Sequence, residues 1–269
     1  MPEAPTRERA DFYAAPAIYD ILHTPGTADE VAALERLARR FLPSRPLTIR
    51  EPASGTGRYL RLLAAHGHTV VGFDRDPGMV AYAGARLARF GRRATVVQAD
   101  MESFDVVPPA SVDLAFTPIN SIRHLQTDRA MLAHFRRVAL ALKPSGLYVV
   151  GLSITDYALE QPSEDLWKGA RGPCRVRQLV QYLPAPGGPG PHARDEAVVS
   201  HMTVRTPRRT RHIDSVYTLR AYDLAQWQRL VARSPFRVGA TVDEQGHDLA
   251  PAPPGYAVFV LRRRMARRL

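Results

Sequence analysis

The apolar positions of the chain follow two spacings, one typical of helices and the other of buried strands. Residues 29–42, DEVAALERLARRFL, place apolar side chains at helical spacing, and Pro43 follows them directly. From residue 46 onward, short runs that are nearly all apolar alternate with longer amphipathic segments. Such runs are typical of parallel strands that are covered by helices on both faces. The pattern therefore predicts a helix followed by a parallel α/β sheet.

The alternation predicts five strands in succession, with helices between them. The strands are expected at residues 46–53, 68–74, 93–100, 111–118 and 147–154. The helices between them are expected at 58–67, 77–91 and 128–146, each with Gly or Pro at its ends.

After about residue 155 the pattern changes to one of half-buried antiparallel strands. Two such strands are expected at 176–183 and 197–206, separated by the linker PAPGGPGPHARDE, and a third is expected at 215–222. A helix at 224–234 and strands at 236–242 and 256–264 close the chain. The pattern thus indicates an α/β domain with a β insertion before its last helix-strand-strand unit.

Composition limits the class of protein. A chain of 269 residues with 45% hydrophobic residues can bury a substantial core. The single cysteine, Cys174, excludes an intrachain disulfide and a zinc site built from cysteines. No apolar run approaches the roughly 18 residues of a membrane span, and the first residues lack the apolar segment of a signal peptide. We therefore expect a cytoplasmic protein without membrane contact.

The formal net charge of +11 suggests a nucleic-acid partner, but its distribution argues against one. All basic residues except Lys143 and Lys168 are arginine, and the chain also carries 23 prolines, a composition typical of GC-rich coding DNA. The arginines are scattered, and no segment interleaves them with exposed aromatic residues. The charge pattern disfavours nucleic acid as a partner.

The segment EPASGTG, residues 51–57, lies between a predicted strand and a predicted helix. Its Gly-x-Gly, Gly55 and Gly57, allows a ligand to approach the backbone at the end of the sheet where α/β proteins bind ligands. A dinucleotide site would require a third glycine, but Leu60 stands in that position. The sequence therefore does not complete the dinucleotide motif.

Two carboxylates flank this loop and indicate a different ligand. Glu51 would repel a pyrophosphate but would suit an ammonium group. Asp74 ends the next predicted strand, where a carboxylate can bind the hydroxyls of a ribose. A ligand with a ribose, a positively charged amino group and no phosphate satisfies both residues.

Residues 46–155 resemble the class I S-adenosylmethionine-dependent methyltransferases. The resemblance rests on EPASGTGRYL, VVGFDRDPGMVAYA, VVQADMESF, DLAFTPINSIRHL and LKPSGLYVV. It implies a Rossmann-like α/β sandwich whose seven-stranded sheet is mainly parallel, with the last strand antiparallel. It further implies a helical cap at 1–45, a cofactor-binding domain at 46–269 and a β insertion acting as substrate lid at 156–221. The cofactor would be S-adenosyl-L-methionine, with S-adenosylhomocysteine as product.

The resemblance also assigns cofactor contacts to particular residues. Glu51 and the loop would hold the amino-acid portion, Asp74 the ribose and Asp100 the adenine, while Ala53 stands where the family commonly has its first glycine. The complete implied set is Tyr13, Glu51, Ala53, Ser54, Gly55, Gly57, Asp74, Arg75, Met79, Asp100, Met101, Pro118 and Asn120. Each carboxylate has a structural alternative: Glu51 as a buried core carboxylate, Asp74 as a helix cap and Asp100 as a turn residue.

Several specialised subclasses are disfavoured by missing signatures. TPIN at 117–120 is not the Asn/Asp-Pro-Pro-aromatic motif of enzymes that methylate nucleic-acid amines. Cys174 lies away from the predicted strand ends, which disfavours covalent pyrimidine methylation. No compact Asp/Glu/His cluster indicates a metal site. A small-molecule methyltransferase remains.

Two segments resemble the acceptor site of sugar-amine and glycine-type N-methyltransferases. They are FYAAPAIYDILHTP at 12–25 and NSIRHL at 120–125. His124 is the candidate general base, because histidine titrates near neutrality, and Tyr19 is the second candidate catalytic residue. The candidate substrate contacts are Tyr19, Asn120, His124, Trp167 and Arg220.

We therefore expect methyl transfer to a nitrogen or oxygen of a small molecule by a monomer or homodimer. Three alternatives stay open at this point. The chain could methylate nucleic acid or protein through its basic surface, bind the cofactor without catalysis, or be a dehydrogenase, although Leu60 and Glu51 weaken the last.

Overall fold

The computed structural model describes residues 6–9, 12–105, 108–249 and 251–264, which form two sheets and the helices packed on them. The helices are α1 (Pro16–His23), α2 (Thr27–Arg39), α3 (Arg58–Ala65), α4 (Pro77–Leu87), α5 (Asp128–Ala141) and α6 (Leu224–Ala232). The strands are β1 (Thr6–Arg9), β2 (Thr48–Pro52), β3 (Thr69–Asp74), β4 (Ala94–Gln98), β5 (Val112–Thr117), β6 (Leu142–Ile154), β7 (Ser163–Arg171), β8 (Cys174–Leu183), β9 (Asp195–Arg205), β10 (Thr210–Arg220), β11 (Phe236–Val242) and β12 (Gly255–Arg263). In this part of the chain no helix is long and apolar enough to span a bilayer.

The central sheet has seven strands in the order β11-β12-β6-β5-β2-β3-β4. The pairs along β4-β3-β2-β5-β6 are parallel, and the last strand, β12, runs antiparallel to both β6 and β11. Strand β5 is buried throughout, with Leu114 and Phe116 in one core and Val112 and Ala115 in the other. The predicted Rossmann-like methyltransferase sandwich is therefore confirmed.

Local sequence signals fix where the helices begin. Asp76 caps α4 by accepting a hydrogen bond from the Met79 amide at 2.7 Å, and Pro77 is the first helical residue. Thr127 caps α5 by accepting from the Ala130 amide at 3.0 Å. Asp76 lies two residues after the end of β3, whereas Thr127 follows a longer connection from β5 that includes the turn at Ser121–His124.

The second sheet has the order β1-β10-β9-β8-β7. Its strands β8, β9 and β10 begin earlier than the apolar pattern predicts, and β7 was not predicted at all. Strand β7 is exposed along most of its length, so it lacks the alternation that marks a half-buried strand. Strand β1 is also unpredicted, and it pairs in parallel with β10 across most of the sequence.

The buried carboxylate of Asp20 joins three parts of the molecule. This residue lies in α1, and it receives hydrogen bonds from Arg171 of β7 at 2.5 Å and from Tyr82 of α4 at 3.1 Å. Arg86 of α4 forms a further ion pair with it at 3.1 Å. Burial would raise the pKa of Asp20, but the hydrogen bond from Arg171 and the charge of Arg86 outweigh it and lower that pKa. The helix α1, the insertion and the central domain thus meet at one charge cluster.

Candidate active site

The loop after β2 has an unusual backbone. Ala53, Gly55 and Gly57 all have positive φ, at 52°, 51° and 69°. Glycine adopts this region freely, whereas an alanine there costs roughly 1–2 kcal/mol. A Cβ added to Gly55 would lie 3.8 Å from the ring of Tyr19, an ordinary van der Waals distance, so the positive φ rather than lack of space favours glycine here.

Asp74 joins this loop to the next one along the sheet. One carboxylate oxygen accepts a hydrogen bond from the Gly55 amide at 2.8 Å, and the other accepts one from the Asp76 amide at 3.0 Å. Burial outweighs these two bonds and raises the pKa of Asp74. The carboxylate is therefore held in a fixed position at the ends of β2 and β3.

Glu51 carries a buried oxygen without a partner. The residue is 2% exposed, and its Oε2 has no hydrogen-bond partner among the described residues. Burial raises the pKa of Glu51 well above its ordinary value, although the charge of Arg58 partly opposes this. Arg58 itself is occupied by Glu30 at 2.5 Å and Thr27 at 2.7 Å. A buried carboxylate with an unpartnered oxygen is stabilised when it binds a cation.

A cavity of about 370 Å³, called here the acidic cavity, lies at the carboxyl ends of β2, β3 and β4. Its walls come from the loops that follow these strands, together with the cap and the turn after β5. They are Tyr13, Tyr19, Ala53, Gly55, Asp74, Arg75, Asp76, Pro77, Ala99, Asp100, Met101, Glu102, Ser121, His124 and Leu125.

A second cavity of about 180 Å³, called here the aromatic cavity, lies between the central sheet and the inner face of the second sheet. Its walls come from four segments that are distant in sequence. They are Tyr13, Tyr19, His23, Pro25, Glu30, Glu51, Ala53, Ser54, Gly55, Thr56, Arg58, Tyr59, Pro118, Ile119, Asn120, Ser121, His124, Trp167, Gln178, Val180, Tyr182, Tyr217 and Leu219.

The two cavities meet at Tyr13, Tyr19 and His124, which line both, as do Ala53, Gly55 and Ser121. The Tyr13 hydroxyl and His124 Nε2 share a hydrogen bond of 2.9 Å. A ligand in one cavity could therefore contact a ligand in the other beside this tyrosine–histidine pair.

Aromatic rings surround the junction. The Tyr13 ring lies 5.7 Å from that of Tyr19, and the His124 ring lies 5.7 Å from that of Tyr217, centroid to centroid. Burial raises the pKa of Tyr19 to about 12 and lowers the pKa of His23 to about 4. At neutral pH the Tyr19 phenol therefore keeps its proton and His23 is uncharged.

Eleven of the thirteen predicted cofactor residues line one cavity or both, but Gly57, Met79 and the predicted substrate residue Arg220 do not. Arg220 is paired with Asp128 at 3.0 Å and donates to the Gln126 carbonyl at 2.8 Å, and it is not part of either wall. Met79 is buried inside α4, and Gly57 serves as the N-cap of α3.

Asn120 lines the aromatic cavity, but its amide is already engaged. Its Nδ2 donates to the Ser153 hydroxyl at 2.9 Å, and its Oδ1 accepts from the Ser153 amide at 2.7 Å. These bonds hold the turn after β5 in its positive-φ conformation. The bonds to Ser153 of β6 therefore fix the position of the Asn120 side chain in the cavity wall.

The sequence analysis predicted the insertion as a substrate lid and named Trp167, which lines the aromatic cavity, but it missed Gln178, Tyr182 and Tyr217 in the same wall. The period-two burial of β8 and β10 was the available signal, but it does not tell which face covers a ligand site. Within the described residues no group of three or more His, Cys, Asp and Glu side chains could hold a metal ion.

Solved methyltransferases share this architecture. DesVI from Streptomyces venezuelae is 20% identical, covers 94% of this chain and 99% of its own, and superposes with a TM-score of 0.72. The sugar N-methyltransferase KedS8 from a Streptoalloteichus species is also 20% identical, with 98% and 99% covered and a TM-score of 0.70. CalS10, an amino pentose methyltransferase from Micromonospora echinaspora solved with S-adenosylmethionine, is 20% identical, with 94% and 98% covered and a TM-score of 0.65. At these identities the similarity establishes the class I methyltransferase fold.

The sequence itself matches within the central domain. Residues 49–146 match the family model described as a methyltransferase domain. Ribosomal RNA small subunit methyltransferase H from Corynebacterium jeikeium is 39% identical over 95 residues, which is 34% of this chain and 27% of that relative. The domain and the fold together confirm the prediction of a methyltransferase enzyme with S-adenosylmethionine as its cofactor.

Proposed function

We propose that this protein methylates an amine nitrogen of a small hydroxylated molecule. The observation that carries the proposal is the meeting of the two cavities at Tyr13, Tyr19 and His124. The acidic cavity would hold the nucleoside portion of the cofactor, the Glu51 end of the aromatic cavity its amino-acid portion, and the rest of the aromatic cavity the acceptor. An amine, rather than a hydroxyl, is favoured because two similar structures are named as methyltransferases of a sugar nitrogen and of an amino pentose.

Residues of both cavities fit the cofactor, with Glu51 in the wall of the aromatic cavity and Asp74, Asp100 and Met101 in that of the acidic cavity. When bound, S-adenosylmethionine supplies an electrophilic methyl group on a sulfonium. The unpartnered Oε2 of Glu51 suits the ammonium of its amino-acid portion, and the fixed carboxylate of Asp74 suits the ribose hydroxyls. Asp100 and Met101 line the far end of the cavity, where the adenine would lie.

The aromatic cavity suits a small acceptor. Its walls include a single arginine, Arg58, which is paired with Glu30, so they offer no row of cations for a nucleic-acid backbone. The likeness to the ribosomal RNA enzyme is confined to 95 residues, which is 34% of this chain and 27% of that relative. A small molecule is therefore the acceptor that the geometry supports.

His124 would act as general base. A protonated amine must lose a proton before it can attack a methyl group. Nε2 of His124 is held by the Tyr13 hydroxyl at the junction of the cavities, so the pair can orient the nucleophile and accept its proton. Removing such a base commonly costs about 10²–10⁴-fold in rate.

The first test is calorimetric titration with S-adenosylmethionine, S-adenosylhomocysteine and, as control, NADH. We expect both sulfur ligands to bind and NADH not to bind. Asp74→Asn removes a charge-assisted hydrogen-bond acceptor, so it should weaken S-adenosylhomocysteine binding about 10- to 100-fold. Absence of binding by the wild-type protein would refute the proposal.

The second test uses amino sugars and the corresponding sugars with hydroxyl in place of the amine. Methylated product and S-adenosylhomocysteine are measured by mass spectrometry. Turnover of amines alone supports the proposal, while turnover confined to hydroxyl acceptors contradicts the choice of nitrogen. His124→Gln should bind S-adenosylhomocysteine normally and lose turnover, which separates its role in catalysis from one in cofactor binding.

A further inference from the structure

Gln178 is an amide on the inward face of β8, where its neighbours Val176 and Val180 are apolar. Strand β8 turns Val176, Gln178 and Val180 inward, and these residues are 3%, 1% and 4% exposed. Val180 and Gln178 both line the aromatic cavity. Burial of an amide between two valines is costly unless its donors and acceptor are paired.

Of the two polar groups of this amide, only the NH2 group has a hydrogen-bond partner in the portion of the chain that the structure describes. Gln178 Nε2 donates to the Ser200 hydroxyl of β9 at 2.8 Å. The carbonyl oxygen, Oε1, is buried and has no hydrogen-bond partner in the described part of the chain. Ser200 is itself a polar residue among inward-facing apolar ones, since Val198 and Met202 flank it on the same face. A polar pair thus interrupts an apolar wall and orients one unused acceptor.

Gln178 also lies away from the junction of the two cavities. It lines the aromatic cavity alone, whereas His124 lines both. Its backbone pairs with that of Trp167 on β7, so the two residues belong to the wall formed by the insertion. An acceptor whose nucleophile lies beside His124 would reach Gln178 with a different substituent.

We propose that Gln178 determines acceptor specificity by accepting a hydrogen bond from a hydroxyl or amino substituent of the acceptor. This inference rests on the proposed function, and it narrows the acceptor to an amine that carries a second hydrogen-bond donor. Ser200 holds the amide in the orientation that presents its carbonyl. Acceptors without the donor leave Oε1 unpaired, and the cavity discriminates against them.

The test compares three ring amines that differ at one substituent. They are trans-2-aminocyclohexanol, trans-2-methoxycyclohexylamine and cyclohexylamine. Binding to the protein saturated with S-adenosylhomocysteine is measured by calorimetry, and methylation is measured separately. We expect the aminocyclohexanol to bind about five- to tenfold more tightly than the other two, as for one hydrogen bond.

The variants separate specificity from folding. Because Gln178→Leu would leave the Ser200 hydroxyl without its partner, it is combined with Ser200→Ala. This double variant should bind all three amines equally while it still binds S-adenosylhomocysteine. Gln178→Glu keeps an acceptor and should keep the preference. Gln181→Leu is the matched control, since Gln181 lies on the same strand and bonds Glu164 instead.

Each outcome decides the matter. A wild-type protein that binds S-adenosylhomocysteine but binds the three amines equally, or binds none, overturns the assignment, and an ordered water would then be the partner of Oε1. Retention of the preference in the double variant also overturns it. Failure of the wild type to bind S-adenosylhomocysteine would refute the proposed function first, and this inference with it.

Discussion

The two cavities are built in different ways. The acidic cavity is lined mostly by the turns that follow β2, β3 and β4, so most of its walls lie between residues 53 and 102. The aromatic cavity combines the N-terminal cap, the loop after β2, the turn after β5 and three strands of the insertion. One site follows from the local order of strands, and the other exists only when distant segments come together.

This difference has an energetic counterpart. The acidic cavity is held by hydrogen bonds from backbone amides of its own loops to side chains, such as that from the Gly55 amide to the Asp74 carboxylate. The aromatic cavity depends on side-chain contacts between α1, α4 and the insertion. One of these contacts is the ion-pair cluster around the buried carboxylate of Asp20. Substitutions should therefore affect the two cavities separately, and the three that follow are ordered from the largest expected effect to the smallest.

Asp20→Ala should have the largest effect, because it leaves two arginines without their shared carboxylate. Breaking a buried ion pair costs about 3–5 kcal/mol, and we expect the lower end because Arg171 keeps part of its hydration. Chemical denaturation measures the loss. The exposed Asp165→Ala on β7 is the matched control and should change stability by less than about 0.5 kcal/mol.

The contribution of Asp20 should also depend on pH. Because its folded pKa is lowered, the stabilisation is present above the ordinary aspartate pKa and is lost as pH falls through the folded value. The wild-type and Asp20→Ala proteins should therefore become equally stable only in acid below about pH 4. Equal stability at pH 7 would contradict the role of this cluster.

Glu51→Gln should change ligand affinity and stability in opposite directions. The folded pKa of Glu51 is raised by burial, so ionisation costs folding stability as pH rises from the unfolded pKa through the folded one. The variant removes that cost and should melt a few degrees higher at neutral pH. It should also bind S-adenosylhomocysteine about tenfold or more weakly, because the ammonium loses a charged partner. If the variant is less stable and binds S-adenosylhomocysteine normally, Glu51 is a structural residue of the core and not a ligand contact.

Ala53→Gly should have the smallest effect. Glycine relieves the strain of the positive φ at this position but gains entropy in the unfolded chain, so the net stabilisation should not exceed about 1 kcal/mol. Cofactor affinity should change by less than about twofold, and calorimetric titration would detect any larger change. A large loss of affinity would instead show that the alanine methyl contacts the ligand.

Sequence could predict most of the central sheet and of the acidic cavity. Parallel strands that are buried on both faces give short apolar runs, and the carboxylates that end them, Asp74 and Asp100, line the predicted cavity. Caps such as Asp76 and Pro77 mark the helix that follows. These signals are local, so a single sequence contains them.

The aromatic cavity could not be predicted to the same extent. Strand β7 is largely exposed and has no apolar alternation, so it gave no signal although it contributes Trp167 to the cavity. Arg220 was expected to face the substrate, but the structure pairs it with Asp128 outside both cavities. Which face of a strand meets a ligand depends on tertiary packing, and this information is absent from local periodicity.

The pairing of β1 with β10 sets a limit on the order of events during synthesis. Residues 6–9 are synthesised about 200 residues before their partners, residues 211–214. The parallel strands β2 to β6 are complete long before β10, so these five strands can pair while the first segment waits. Loop closure over such a distance is slow compared with local pairing. The second sheet, whose inner face lines the aromatic cavity, is therefore completed only after the five parallel strands of the central sheet.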